Sequence, residues 1–130
     1  MDGESAVKGL GIDLCGVDRI RQAMEQTPGF LTRYYTEQER AYLQSRGKAA
    51  PQSAAAMFAA KEAFLKAVCT GLGEGIAFQD IDIVHLESGA PQYRLTGAAL
   101  EKARQLQVKS LWLSLTHENG MAAAVCVLDE

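Results

Sequence analysis

Glu62 and Lys66 stand four residues apart in the run FAAKEAFLKAV, a spacing that sets two side chains about 40° apart on one face of a helix. Such a pair is commonly a solvated salt bridge. This run leaves almost no polar face for water, so charges within it should point into a cleft or an interface. Asp13 is an acid inside VKGLGIDLCGV, an apolar stretch broken by glycines, where an unpaired carboxylate would be costly. It can cap a backbone turn, pair with a lysine or bind a cation. Two carboxylates from separate elements, Asp13 and Glu62, would suit a magnesium ion that keeps some waters and takes its other ligands from a substrate's phosphates. On spacing alone that is one arrangement among several. His117 ends a strand that carries Ser114 and Thr116, and a hydrogen-bonded turn residue and a catalyst are both open readings for it.

Other chemistries find little support. No G-x-S-x-G elbow accompanies the histidine, which disfavours a serine hydrolase. The glycines of GLGEG lack the Lys-Ser/Thr of a phosphate-binding loop and the helix opening of a dinucleotide fingerprint. With 13 Lys+Arg against 16 Asp+Glu the net charge is −3, and basic residues are not interleaved with aromatic ones, so nucleic acid is not an expected partner. Charge is uneven along the chain. Between residues 19 and 48 six basic side chains face three glutamates, leaving +3 where an acidic partner could dock. Cys15, Cys69 and Cys126 are odd in number and form no CxxC pair, which reads as buried thiols of a cytoplasmic protein. The acidic start and the lack of a long apolar run argue against a secretory signal and a membrane span.

The elements that must position these residues follow from periodicity. Val7 to Val17 reads as a strand approached closely by other backbone, and Asp18 to Gln26 as a helix stopped by Thr27-Pro28-Gly29. Thr36-Glu37-Gln38-Glu39 has the form of a capping box opening a short helix to about Ser45. The strongest helix signal runs from Ser53 to Thr70, interrupted only by Lys61, Glu62 and Lys66, and should be the buried central helix. A turn over Gly71 to Gly75 leads to a strand with Ile81, Ile83 and His85; a short strand at Gln92 to Leu95 and a helix capped by Thr96 come next. The chain closes as a β-hairpin turning at Glu118-Asn119-Gly120. With 130 residues and no repeats or linkers, the expectation is one domain, 1–130, of the α+β class, with a mainly antiparallel sheet packed around a long central helix.

Three blocks in order, GLGIDLCGVDRI at 9–20, FAAKEAFLKAVCTG at 58–71 and LSLTHENGMAAAVCVL at 113–128, together resemble the holo-acyl-carrier-protein synthases, the small single-repeat 4′-phosphopantetheinyl transferases. FLTRYYTEQE at 30–39, FQDIDI at 78–83 and Gly89-Ala90-Pro91 add to the likeness, which covers nearly the whole chain. The resemblance implies transfer of the phosphopantetheine arm of coenzyme A to a serine of an apo acyl carrier protein, releasing adenosine 3′,5′-bisphosphate. Asp13 and Glu62 match the family's magnesium ligands, so Mg²⁺ is the implied cofactor. Lys66 matches the lysine beside the transferred phosphate, and His117 with Ser114 would contact the coenzyme A phosphates. Arg19 falls on the arginine that docks the acidic carrier protein, with Arg33 a second candidate. The resemblance also implies a homotrimer with active sites between subunits. A non-catalytic coenzyme A or carrier-binding module of the same fold is the rival, and it would require loss of Glu62, Lys66 or His117. Gly16, Met57 and Cys69 depart from residues usual in the family.

Overall fold

Alternation along the first strand sets the architecture. The structure, a computed structural model, describes residues 6–68 and 75–130, so Cys69 and most of the glycine turn expected at 71–75 lie outside the described residues. In β1 (Val7–Gly16), Leu10, Ile12 and Leu14 face outward, while Gly9, Gly11, Asp13 and Cys15 face the long helix. That helix, α4 (Ala50–Ala67), presents small residues to the strand. A Cβ on Gly11 would stand 1.9 Å from the carbonyl oxygen of Ala63, and one on Gly9 2.2 Å from that of Ala67. Helix and strand thus meet backbone to backbone, which only glycine permits. The helix begins at Ala50, before the expected Ser53, because Pro51 fits its first turn.

The chain runs on from β1 through α1 (Val17–Gln26), α2 (Phe30–Tyr34) and α3 (Glu37–Ser45) into α4. After α4 come β2 (Ile81–His85), β3 (Pro91–Leu95), α5 (Gly97–Gln105), β4 (Ser110–Glu118) and β5 (Met121–Asp129). β5 lies between β1 and β4 in an antiparallel three-stranded sheet, and β2 and β3 form a separate antiparallel pair. The α+β class and the antiparallel packing around the central helix are as the sequence indicates; the division into two sheets and the short α2 are additions. Among the described residues no helix is long and apolar enough to cross a membrane. Cys15 and Cys126 are buried free thiols, and burial pushes Cys126 up to about 11.

One buried ion pair fixes the other side of α4. The Thr36 capping box forms as expected, but Glu39 does more than cap. Its Oε1 also accepts from Lys61 Nζ at 2.7 Å and its Oε2 accepts from the Ile83 amide at 2.7 Å. Lys61 Nζ donates in addition to the carbonyls of Phe78 (3.0 Å) and Ile81 (2.9 Å). Both side chains are fully buried. Burial pushes the Glu39 carboxyl up and the Lys61 ammonium down, and their contact opposes both shifts. Lys61 therefore turns into the core, away from Glu62, and pins α3 and β2 to the helix.

Replacing Gly11 by alanine should destabilise the protein by at least about 2 kcal/mol in denaturant unfolding, since the blocking atoms are backbone. Gly16→Ala, where the nearest atoms lie 3.9 and 4.0 Å away, should stay within about 1 kcal/mol. Equal effects at the two sites would contradict the close approach.

Candidate active site

The close packing of β1 on α4 brings Asp13 to the open end of the helix. Lys66 Nζ donates to Asp13 Oδ1 at 2.9 Å and to the Ile12 carbonyl at 3.1 Å. Asp13 is mostly buried and Lys66 is exposed. The Asp13 contact holds the Lys66 ammonium above its usual range, so the lysine stays charged. Glu62, one turn before Lys66, accepts no hydrogen bond among the described residues. Its carboxyl is pushed up first by burial and next by the negative charge of Asp13, against the opposing charges of Lys66 and Arg19. Arg19, in the first turn of α1, has Nη2 3.7 Å from the Cys15 sulfur and so belongs to the edge of this cluster.

Two carboxylates that repel one another, one of them without a hydrogen-bond donor, form a donor set for a hard divalent cation. No group of three or more His, Cys, Asp or Glu that could hold a metal occurs among the described residues. Asp13 and Glu62 would therefore supply two oxygens and leave the remaining positions to water or substrate oxygens, which fits magnesium better than an all-protein cage.

A second polar group lies elsewhere. Tyr42, Arg46, Gln52, His85, Thr116 and His117 line a cavity of about 210 Å³, and no carboxylate is among its walls. The Gln52 side-chain amide is 2.8 Å from His117 Nδ1; donation to that nitrogen leaves the ring proton on Nε2. His85 stacks flat on Tyr42, with ring centroids 4.0 Å apart at 6°, and the Arg46 guanidinium lies 5.7 Å from the Tyr42 ring centre. Burial, then the charge of Arg46, pushes the His85 imidazole below its usual range.

The structure brings Asp13, Glu62, Lys66 and Arg19 together and leaves His117 and Ser114 apart from them. Gln52, the partner of His117, precedes Glu62 by ten residues on α4, about 15 Å along the axis. Ser114 pairs with Val125 on the outer face of the sheet, whereas His117 pairs with the buried Ala122 on the inner face, so the two do not share a cavity. Arg33 is exposed on α2, its guanidinium 5.9 Å from the Tyr34 ring centre. Met57 is wholly buried and touches neither cluster's surface. Sequence reasoning missed Arg46, Gln52 and His85. His85 was legible only as a strand residue, and nothing in its spacing tied it to Tyr42 more than forty residues earlier.

Comparison with known proteins agrees with this arrangement. Residues 9–126 match the family model of the 4′-phosphopantetheinyl transferase superfamily. The holo-[acyl-carrier-protein] synthase of Myxococcus xanthus is 43% identical over 126 residues, covering 94% of each chain. That of Maridesulfovibrio salexigens is 40% identical over 123 residues, 94% of this chain and 98% of the relative. Among solved structures, the holo-[acyl-carrier-protein] synthase of Neisseria meningitidis superposes with a TM-score of 0.83 at 32% identity, over 95% of this chain and 99% of the other. The Helicobacter pylori synthase in complex with coenzyme A gives 0.79 at 32% identity, over 92% and 99%. A match across both carboxylates, Lys66 and His117, with relatives aligned over nearly their whole length, places this chain in the 4′-phosphopantetheinyl transferase superfamily.

Proposed function

We propose that this chain transfers the 4′-phosphopantetheine arm of coenzyme A to a serine hydroxyl of an apo acyl carrier protein, giving holo carrier protein and adenosine 3′,5′-bisphosphate. The observation that carries the reading is the juxtaposition of Asp13, Glu62 and the charged Lys66 at one end of α4. The carrier's serine oxygen forms a bond to the phosphorus that bears pantetheine. The bond from that phosphorus to the bridging oxygen of the diphosphate breaks, and the bisphosphate leaves with the electron pair. The serine proton passes to solvent or to one of the two carboxylates. Magnesium held by Asp13 and Glu62 would neutralise the charge of the diphosphate. Lys66 places its ammonium where the leaving phosphate gains charge and stabilises it there. His117 and Ser114 contact the phosphates of coenzyme A.

A single copy holds these groups too far apart. The separation of about 15 Å along α4 exceeds the reach between the phosphates of one nucleotide, so the two clusters serve one substrate only across a contact between copies. The outer face of the three-stranded sheet supports such a contact. Leu10 (66% exposed), Ile12, Leu14 and Trp112 lie open on it, beside Val125 and Val127. A homotrimer covers this apolar face, gives the neighbour's His117 access to Asp13 and Glu62, and puts Ser114 within the inter-subunit region. Arg19 and Arg33, in the basic segment between β1 and α3, receive the acidic carrier protein.

Glu62→Gln and Asp13→Asn should fold as the parent does yet slow bisphosphate release by about 100-fold or more and abolish its dependence on added magnesium. Full turnover in either variant would remove the assignment. Arg19→Glu should raise KM for the carrier protein far more than KM for coenzyme A, and added salt should weaken carrier binding by the parent. Equal changes in both constants would show that Arg19 does not dock the carrier.

A further inference from the structure

The cavity of about 210 Å³ has features that contact with His117 alone does not explain. His85 Nδ1 is the one buried side-chain nitrogen or oxygen among the described residues that lacks a hydrogen-bond partner. Leaving a polar atom in that state costs free energy, and a cavity lined by its ring is where a ligand would relieve the cost. The ring cannot swing away cheaply, because it lies flat on Tyr42. Every polar wall can donate: Arg46, Gln52, Ser53, Thr116, His85 and His117. Such a lining suits a dianion. Coenzyme A carries a diphosphate, whose oxygens belong to the carboxylate cluster in the reading above, and one phosphomonoester. The monoester alone ionises a second time, near pH 6, and so presents two charges at neutral pH.

We propose that His85 is a phosphate-recognition residue of this chain: the cavity it shares with Arg46 and His117 receives the phosphomonoester of the coenzyme A nucleotide, and His85 takes a proton from solvent as that dianion enters. The inference rests on coenzyme A being the donor. In the ligand-free chain burial and Arg46 keep the imidazole neutral at pH 7. The charged and titratable groups facing it are Tyr42 and Arg46 from α3 and its end, and His117 from β4; no acid opposes them. An arriving dianion reverses that balance and favours the imidazolium, which then donates to the phosphate. Stacking on Tyr42 holds the ring in place in both states. Binding is therefore coupled to proton uptake, and affinity for coenzyme A over dephospho-coenzyme A increases as pH falls from about 8 to about 6.5.

Titration calorimetry of coenzyme A and of dephospho-coenzyme A, in two buffers of different ionisation enthalpy, counts the protons. The parent should take up a fraction of a proton near pH 7 with coenzyme A and none with dephospho-coenzyme A. His85→Asn should abolish the uptake and weaken coenzyme A by about 10-fold while leaving dephospho-coenzyme A unchanged. His85→Gln should behave alike and guards against a folding defect in the first variant. In His117→Asn the uptake should persist at reduced affinity. Uptake unaltered by both His85 substitutions, or equal weakening of both ligands, would overturn the role of His85 alone. If the parent binds neither ligand, the donor assignment itself fails and takes this inference with it.

Discussion

The contact of α4 with β1, backbone against backbone over Gly9 and Gly11, is the constraint on which the rest of the molecule depends. With Cβ positions 1.9 and 2.2 Å from carbonyl oxygens, the strand has no room to retreat or roll. This proximity is what lets Asp13, two residues further along the same face, meet Lys66 and share a field with Glu62. A helix held at the more usual distance from a sheet would leave Asp13 as an unpaired buried acid. The same alternation turns Leu10, Ile12 and Leu14 outward, so the strand that builds the site also creates the apolar face that a second copy would cover. Catalytic geometry and assembly thus come from one two-residue period.

Opposite that contact, Glu39 and Lys61 act as the second clamp. Two buried charges satisfied by each other, by two carbonyls and by two amides lock the rotation of α4 about its axis. Removing one partner would leave an uncompensated charge in the core. Consecutive residues of the helix therefore have opposite tasks: Lys61 is turned inward to hold the helix, and Glu62 is turned to the open end, where it has no hydrogen-bond donor of its own. Arg94 and Thr36, both on Asp82, extend the clamp to the β2–β3 pair.

Much of this was legible in the residues. The 3.6-residue period of α4, the Thr36 capping box, the hairpin at Asn119-Gly120 and the conflict of an acid in a glycine-broken strand are local signals, and each led to the right element. Glu62 and Lys66 stood out because one helix carries both. Lys61 is the instructive contrast: by spacing it belonged with them, yet its partners come from α3 and from the segment before β2, contacts that no local period encodes. His85 and Arg46 were hidden for the same reason. Ser114, grouped with His117 by nearness in sequence, lies on the other face because side chains three residues apart on a strand point to opposite sides.

The account makes each reaction centre a joint product of two copies, one supplying Asp13, Glu62 and Lys66 and the other supplying His117 with its cavity. The most direct test is complementation by mixing. Glu62→Gln and His117→Ala, each defective alone, are co-expressed and purified as mixed oligomers, and the conversion of apo to holo carrier protein is followed by intact mass. Random assembly in a closed ring leaves about a quarter of the sites with both halves intact, so activity should return to about a quarter of the parent's. Activity no greater than the mean of the two variants alone would contradict a site shared between copies.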